Sequence, residues 1–339
     1  MSVLDVFKTD PFSVTSLTDA INKIPFVPGR AGLVVSWGEQ GVATLDILLE
    51  EVQGQLTLIN PTPRGGPGNT IAKEKRTARA LTVPHYQVDD AIYADEVQGI
   101  RAFGAEVDVQ TVQDIVNERL AGHVQWRLDP TLEYARVGAL KGIILNGDGS
   151  TLYNLFTQFG VSQETEIDFD LDNATPAAGA LQKKCTSVDR LIAKNLGGVP
   201  YTDIGGLCGD AFWDDLIAHP EVRDTQLNTG EARAAREDRV AYRQKLISGI
   251  LFENYRGSNT SGTPFIDTDK CHFFAGGVPG LFRTVYAPAD YLDSVNQLGL
   301  PRYTRQFEMK NGKGVHLEAQ MNALNYCTRP KTLIVARRT

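Results

Sequence analysis

The spacing of apolar residues changes along this chain, and each change marks an element. Residues 1–45 hold only short apolar pieces between Pro11, Pro25, Pro28, Gly29, Gly32, Gly38 and Gly41. That composition blocks any long helix and predicts an extended arm. From Val42 the pattern becomes strand-like, with Val42, Leu45, Ile47 and Leu49, then Val52, Leu56 and Leu58, and Gly54 as a turn or bulge. Pro61, Pro63, Gly65, Gly66, Pro67 and Gly68 turn the chain, and TIAKEKRTARALTVP returns with little to bury. Two limbs around this tip predict a long hairpin over 46–85, too poor in apolar side chains to hold itself against its own domain. A lone two-stranded ribbon is marginal in water, so the hairpin is expected to lie on another surface.

From Asp108 the period becomes helical. Val109, Val112, Val116, Leu120, Val124 and Leu128 recur at three- and four-residue steps, with Asp108 placed to cap the start. Pro130 either kinks this helix or restarts it, with Asp129 as a new cap and proline at the first helical position. Residues 108–141 would span roughly 50 Å at about 1.5 Å per residue, enough for a spine. The Asn-Gly-Asp-Gly centre of LKGIILNGDGSTLYNLF predicts a hairpin. A helix is expected near AAGALQKKCTSVDRLIAKNL, ending at Gly197 and Gly198. A short strand and a second helix over DAFWDDLIAHP, closed by Pro220, should follow. GVHLEAQMNALNY turns Val315, Leu317, Ala319 and Met321 inward, and KTLIVARR is a final strand. This alternation suggests a mixed α/β unit in the second half, and there is no internal repeat.

At 339 residues the chain exceeds one ordinary core, so two units of roughly 100 to 200 residues are expected. Its 42% hydrophobic and 22% charged content is that of a globular protein. The first 30 residues lack a basic start followed by an apolar block, and no run of about 18 apolar residues occurs. A cytosolic protein is the expectation. Cys185, Cys208, Cys271 and Cys327 are widely separated and read as reduced core residues.

The net charge of −7 argues against general nucleic-acid coating. Against that background NPTPRGGPGNTIAKEKRTARA, residues 60–80, gathers Arg64, Lys73, Lys75, Arg76 and Arg79 around Glu74, a local balance of about +4 that leaves about −11 for the rest. A phosphate-binding loop needs Gly-x4-Gly-Lys-Ser/Thr, which GGPGNTIAK lacks, and Pro67 removes a donor. A grip on single-stranded nucleic acid would need aromatic platforms among the cations, and there are none. Contact with DNA backbone and a merely solvated loop remain as alternatives to contact with another protein copy, the preferred reading.

Other candidate chemistry is sparse. Asp168, Asp170 and Asp172 begin like a calcium loop, but Asn173 replaces the sharp-turn glycine and Gly179 the bidentate glutamate, leaving a solvated acidic loop. His85, His123, His219, His272 and His316 form no metal-ligand spacing. The adjacent Cys271 and His272 would point to opposite faces of a strand. No nucleophile elbow or catalytic cysteine signature is present. No enzyme, cofactor or metal is expected.

HYQVDDAIYADEVQGIRAFG, the long helix, ALKGIILNGDGSTLYN, DAFWDDLIAHPEVRDT, GILFENYRG and GLPRYTRQFEMKNGKGVHLEAQMNALNYCTRPKTLIVA follow one another over residues 83–339. In this order they resemble the major capsid protein E family of tailed (lambda-like) phages. The resemblance implies an α+β chain of the Hong Kong 97-type capsid fold. Its parts would be an arm over 1–45, an extended loop over 46–85, a peripheral domain with the spine helix over 86–160, an axial domain over 161–290, and C-terminal strands over 291–339 returning to both sheets. It also implies hexamers and pentamers in an icosahedral virion shell that is assembled in the host cytoplasm and encloses double-stranded DNA. The implied partners are a portal protein and, as a further candidate, a decoration protein. The short N-terminus leaves no room for a built-in scaffolding domain, so a separate scaffolding protein is implied. The alternative on the same fold is an encapsulin-like compartment.

In this picture Arg64, Lys73, Lys75, Arg76 and Arg79 would meet Glu106, Asp108, Asp114 and Glu118, nominated by charge and position at the start of a neighbour's spine helix. Each exposed pair is worth about 0 to 1 kcal/mol, and repetition over a shell makes weak pairs sufficient. Weak contacts also suit a lattice that expands on maturation. Reversing Arg64, Lys75, Arg76 and Arg79 to Glu is expected to leave folded subunits that cannot close shells. Normal particles in electron micrographs of such a variant would reduce the hairpin to a solvated loop.

Overall fold

The computed structural model describes residues 29–52, 76–97, 112–228, 244–258 and 263–339. The described chain begins with helix α1 (Arg30–Val34) and strand β1 (Gly38–Gly41). It then runs out along β2 (Asp46–Val52) and back along β3 (Arg76–Thr82) into β4 (Tyr86–Tyr93) and the single turn α2 (Ala94–Val97). Helix α3 (Val112–His123) leads through a π-turn (Val124–Leu128) into α4 (Asp129–Lys141). Strands β5 (Ile143–Leu145) and β6 (Thr151–Asn154) pair around the Asn-Gly-Asp-Gly turn, as the sequence predicts, and α5 (Leu155–Phe159) follows.

The second half contains β7 (Ile167–Asp168), α6 (Ala180–Leu196), β8 (Asp203–Cys208), α7 (Asp210–Ala218), α8 (Pro220–Asn228), β9 (Gln244–Ile247), β10 (Ile250–Asn254) and β11 (Lys270–Gly276). The chain returns along β12 (Phe282–Tyr286), β13 (Tyr303–Glu308), β14 (Gly314–Met321) and β15 (Ala323–Cys327), and ends on β16 (Ile334–Arg337). A six-stranded mixed sheet has the order β7-β16-β11-β8-β10-β9, and the antiparallel β13-β14-β4 sheet stands apart from it. A third sheet, β1-β12-β15, takes β1 as a parallel partner of β12.

The spine does not restart at Pro130. His123, Leu128 and Asp129 all keep helical backbone angles, and the Asp129 N–H donates to the Val124 carbonyl, five residues back. Proline lacks an N–H, and its ring would press on the carbonyl four residues earlier. One wider turn before it relieves both problems without breaking the helix. Asp129 is therefore not a cap. Its carboxylate instead pairs with the buried Arg302 at the foot of β13.

Val116, Leu120, Val124, Leu128 and Leu132 pack with Ile92, Val315, Leu317, Ala319 and Met321 in a cluster between spine and sheet. Full burial of each leucine is worth about 1.5–3 kcal/mol, so this one stripe suffices to fix the helix on β14 and β4. Further on, Val137, Ala139 and Leu140 belong to the larger cluster that fills the rest of the molecule. Gly142 ends α4 at φ +81°, and a side chain there would meet the Phe156 ring.

Other expectations resolve in detail. Helix α6 ends at Gly197 in the left-handed region. Helix α7 stops at Ala218, but Pro220 opens α8 rather than closing the segment, since proline is tolerated in a first helical turn. All four cysteines are free and buried, with Cys208 and Cys271 opposite one another on β8 and β11, Sγ to Sγ 3.2 Å. The acidic stretch is not simply a solvated loop. Phe169 and Leu171 insert into the core while Asp168 pairs with Arg337.

His272 on β11 is buried, and neither ring nitrogen has a hydrogen-bond partner among the described residues. Burial first, and then the positive Lys141 and Lys270, push its pKa down from 6.5 to about 3. The unfolded chain therefore binds a proton that the folded chain refuses, so this site destabilises the fold as pH falls from 6.5 towards 3. Urea denaturation across that window should show His272→Leu losing less stability than the parent, by up to about 1.4 kcal/mol per pH unit. Parallel pH profiles would contradict this.

Candidate assembly interface

Two segments are clasped to the body, the end of the arm through the spine helix and β10, and the base of the hairpin through β6 and α5. The first is the end of the arm. Rather than remaining extended, residues 29–45 form α1 and β1 and are fixed by buried polar groups on α4 and β10. Glu133 Oε1 accepts from the Ala31 N–H at 2.7 Å and from the Tyr255 hydroxyl at 2.9 Å. Arg30 Nη2 donates to Glu253 Oε2 at 2.7 Å. Arg136 donates to Glu39 at 2.7 Å and lies over the Trp37 ring. Gly29 sits so close to Glu133 that a Cβ would fall 2.3 Å from the carboxyl carbon, and a side chain there would have to push the carboxylate out of the clasp. Burial raises the pKa of Glu133, and the Ala31 N–H, the Tyr255 hydroxyl and Arg136 oppose that rise.

The second segment is the hairpin. Strands β2 and β3 pair in register from Asp46↔Thr82 to Val52↔Arg76. Its base is held by its own chain, contrary to the expectation that the return limb could not be: Leu81 is only 1% exposed, Val83 is buried, and Ile47 and Leu49 pack against the same core. The Tyr153 hydroxyl donates to the Thr82 carbonyl at 2.8 Å. Period-two alternation explains this, because one face of each limb suffices to anchor it. The other face is bare, with Leu48 71% exposed.

Of the nominated residues, Arg64, Lys73, Lys75, Glu106 and Asp108 lie outside the described residues. Arg76 lies on β3 and Asp114 on α3. Glu118 is exposed on α3. Arg79 turns back onto its own chain, donating to the Gln158 carbonyl beside Gly160 at the end of α5, where a cation suits the helix terminus. Close to Glu118, Arg119 bridges Asp90 at 3.1 Å and Glu96 at 2.6 Å, and His123 meets Asp90 at 2.8 Å. Burial tends to raise the Asp90 pKa, but the Ala91 N–H, His123 and Arg119 outweigh it and hold the carboxyl below its usual range.

Sequence reasoning missed Glu133, Arg136 and Trp126. The first two were signalled by charges at three-residue spacing inside an otherwise apolar helix. Trp126, 80% exposed in the π-turn, lies across Gly122. Nothing in the apolar period marks it.

A long helix backing a three-stranded sheet, a mixed helix-covered sheet and a two-stranded hairpin together make up the Hong Kong 97-type capsid fold. Solved structures agree on the fold. A chain described as the capsid protein of a prophage in E. coli CFT073 matches with TM-score 0.61 at 10% identity, covering 96% of this chain and 99% of that one. The capsid of cyanophage P-SCSP1u matches with TM-score 0.53 at 12% identity, covering 91% and 88%. The profile of phage major capsid protein E matches residues 13–338, and the chain belongs to that family. The major capsid protein of Pseudomonas phage KPP10 is 26% identical, covering 95% of this chain and 96% of its own. That of Salmonella phage Felix O1 is 24% identical, covering 96% of each. The chain is thus a major capsid protein of a tailed phage, a structural component of the virion shell.

Glu133→Ala leaves two buried donors without an acceptor and should cost about 2–4 kcal/mol, whereas Glu133→Gln keeps an acceptor and should cost less than half as much. Thermal melts and limited proteolysis around residue 30 test this. Equal losses in the two variants would count against the clasp.

Proposed function

We propose that this chain forms hexamers and pentamers of an icosahedral shell around double-stranded DNA, and that its hairpin closes the contact between neighbouring subunits. The observation carrying this reading is the two-faced hairpin. One face is fixed on its own core, the other exposes Leu48, and the limbs lead into the basic 60–80 segment. A head-to-tail contact of this kind generates closed rings. Ordering entropy in the ribbon is offset only when a neighbour is present.

In this reading Glu106, Asp108, Asp114 and Glu118 of the neighbour supply carboxylates. A separate scaffolding protein and a portal protein are the external partners, with a decoration protein as a further candidate, and assembly takes place in the host cytoplasm. The acidic balance of the chain, −7 overall, suits a wall that does not hold packaged DNA.

The test is a charge reversal of Arg64, Lys75 and Arg76 to Glu. Arg79 is left in place because it caps α5 within its own chain. Subunits are expected to keep their circular dichroism and melting temperature while closed shells disappear from negative-stain micrographs. Normal particles would overturn the reading, and normal shells that lose their genome would move the segment's role to DNA.

A further inference from the structure

Strands β8 and β11 lie at the centre of the six-stranded sheet, and Cys208 and Cys271 face each other across them. The backbone decides which kind of facing pair they make. The Gly209 N–H donates to the Lys270 carbonyl at 2.9 Å, while the Cys208 carbonyl turns the other way and accepts from the Tyr255 N–H at 3.0 Å. Gly209 with Lys270 is therefore the hydrogen-bonded pair. Cys208 with Cys271 is the non-hydrogen-bonded one, whose Cα atoms stand about 4.5 Å apart. That separation falls within the window of about 4.4–6.8 Å in which a disulfide closes without moving the backbone.

The side chains are aimed to match. Sγ of Cys208 is 3.2 Å from Sγ of Cys271, and both residues are wholly buried. Gly206, two residues before Cys208 on β8, leaves the space that the Cys271 sulfur uses, since a Cβ there would fall 3.1 Å from that sulfur and 2.9 Å from the Phe273 ring. Glycine inside a strand is unfavourable unless another group approaches closely, and here a sulfur and a ring both do. Burial, and then the adjacent Cys208 thiol, push the Cys271 pKa well above that of an ordinary cysteine. At neutral pH this thiol is protonated and a slow nucleophile. Complete burial also keeps bulky disulfide reagents away, so a small peroxide is the class of oxidant that the site admits.

We propose that Cys208 and Cys271 form a modification site, a thiol pair that a peroxide-class oxidant converts to a disulfide once the shell has left a reducing compartment. One thiol attacks the O–O bond of hydrogen peroxide, giving a sulfenic acid and one water. The second thiol attacks that sulfur, the S–S bond forms, and the sulfenic oxygen leaves as a second water. Two electrons pass from the thiols to the peroxide. The bond joins residues 63 apart in sequence and encloses α7, α8, β9 and β10, which restricts the unfolded chain. A cytosol keeps thiols reduced while subunits fold and assemble, and a released particle has no such reductant around it. The order of events rests on the proposed assembly in the host cytoplasm, whereas the chemistry of the pair rests on its own geometry.

Full-length subunits and shells are purified under reductant, freed of it, treated with hydrogen peroxide, alkylated with N-ethylmaleimide in denaturant and mapped by mass spectrometry. One link is expected, Cys208 to Cys271, with Cys185 and Cys327 alkylated. The oxidised parent should melt roughly 5–10 °C above the reduced parent. Cys208→Ala and Cys271→Ala, each compared oxidised against reduced, should show no such rise, and a loss of stability from the substitution itself does not enter that comparison.

The proposal is overturned by links through Cys185 or Cys327, by sulfinic acid without a link, by an oxidised parent that melts with the reduced one, or by the same mixture of links from native and urea-unfolded chains. It is equally overturned if chains trapped in acid straight from the producing cells already carry the bond. The single link in subunits and shells alike supports it even where the Arg64, Lys75 and Arg76 reversal assembles normally, so the pair and the hairpin reading fail separately.

Discussion

One helix lies in two hydrophobic cores, and the rest of the molecule depends on that. Leu128 and Leu132 are buried against β14 and β4, while Val137, Ala139 and Leu140 a few residues on are buried in the large cluster. Any tilt of the spine would therefore open both clusters together. At roughly 45 Å for Val112–Lys141, it is a lever whose two ends cannot move independently. Asp129 and Arg302 tie it sideways to β13 close to where the helix passes from one cluster to the other.

Around this axis the described end of the arm and the base of the hairpin are each fastened to the body. The arm is clasped by Glu133, Glu253 and Arg136, and the hairpin by Leu81, Tyr153 and Arg79. In both cases the anchored part is paid for by the subunit's own core.

The fold was largely legible where a periodic signal met a single environment. Val315, Leu317, Ala319 and Met321 alternate inward on β14, and the Asn-Gly-Asp-Gly turn joins β5 to β6. Legibility failed where two demands fell on the same residues. Pro130 invites a break, yet the cores on both sides need an unbroken rod, and packing overrode the local preference by widening one turn. Arg79 reads as one more cation of a basic block, but a strand register places it over the end of α5. The clasp at Glu133 was hidden because a carboxylate in a helix usually faces water. Its neighbour Arg136 was the available clue. Of the nominated interface residues, the sequence offered charge alone, which does not say which face a side chain will occupy.

The widened turn has a geometrical consequence of its own. Val116, Leu120, Val124, Leu128 and Leu132 are spaced by fours, and in a helix of 3.6 residues per turn such a row creeps about 40° around the axis at each step. A straight rod would carry the last of them away from the surface that holds the first. The extra residue accommodated between Val124 and Leu128 winds the row back, so the turn that tolerates a proline also serves as a phase corrector. Excising a single residue there would restore ideal coiling and keep both ends of the rod facing as they do, but would return the ring of Pro130 to the carbonyl of the preceding turn.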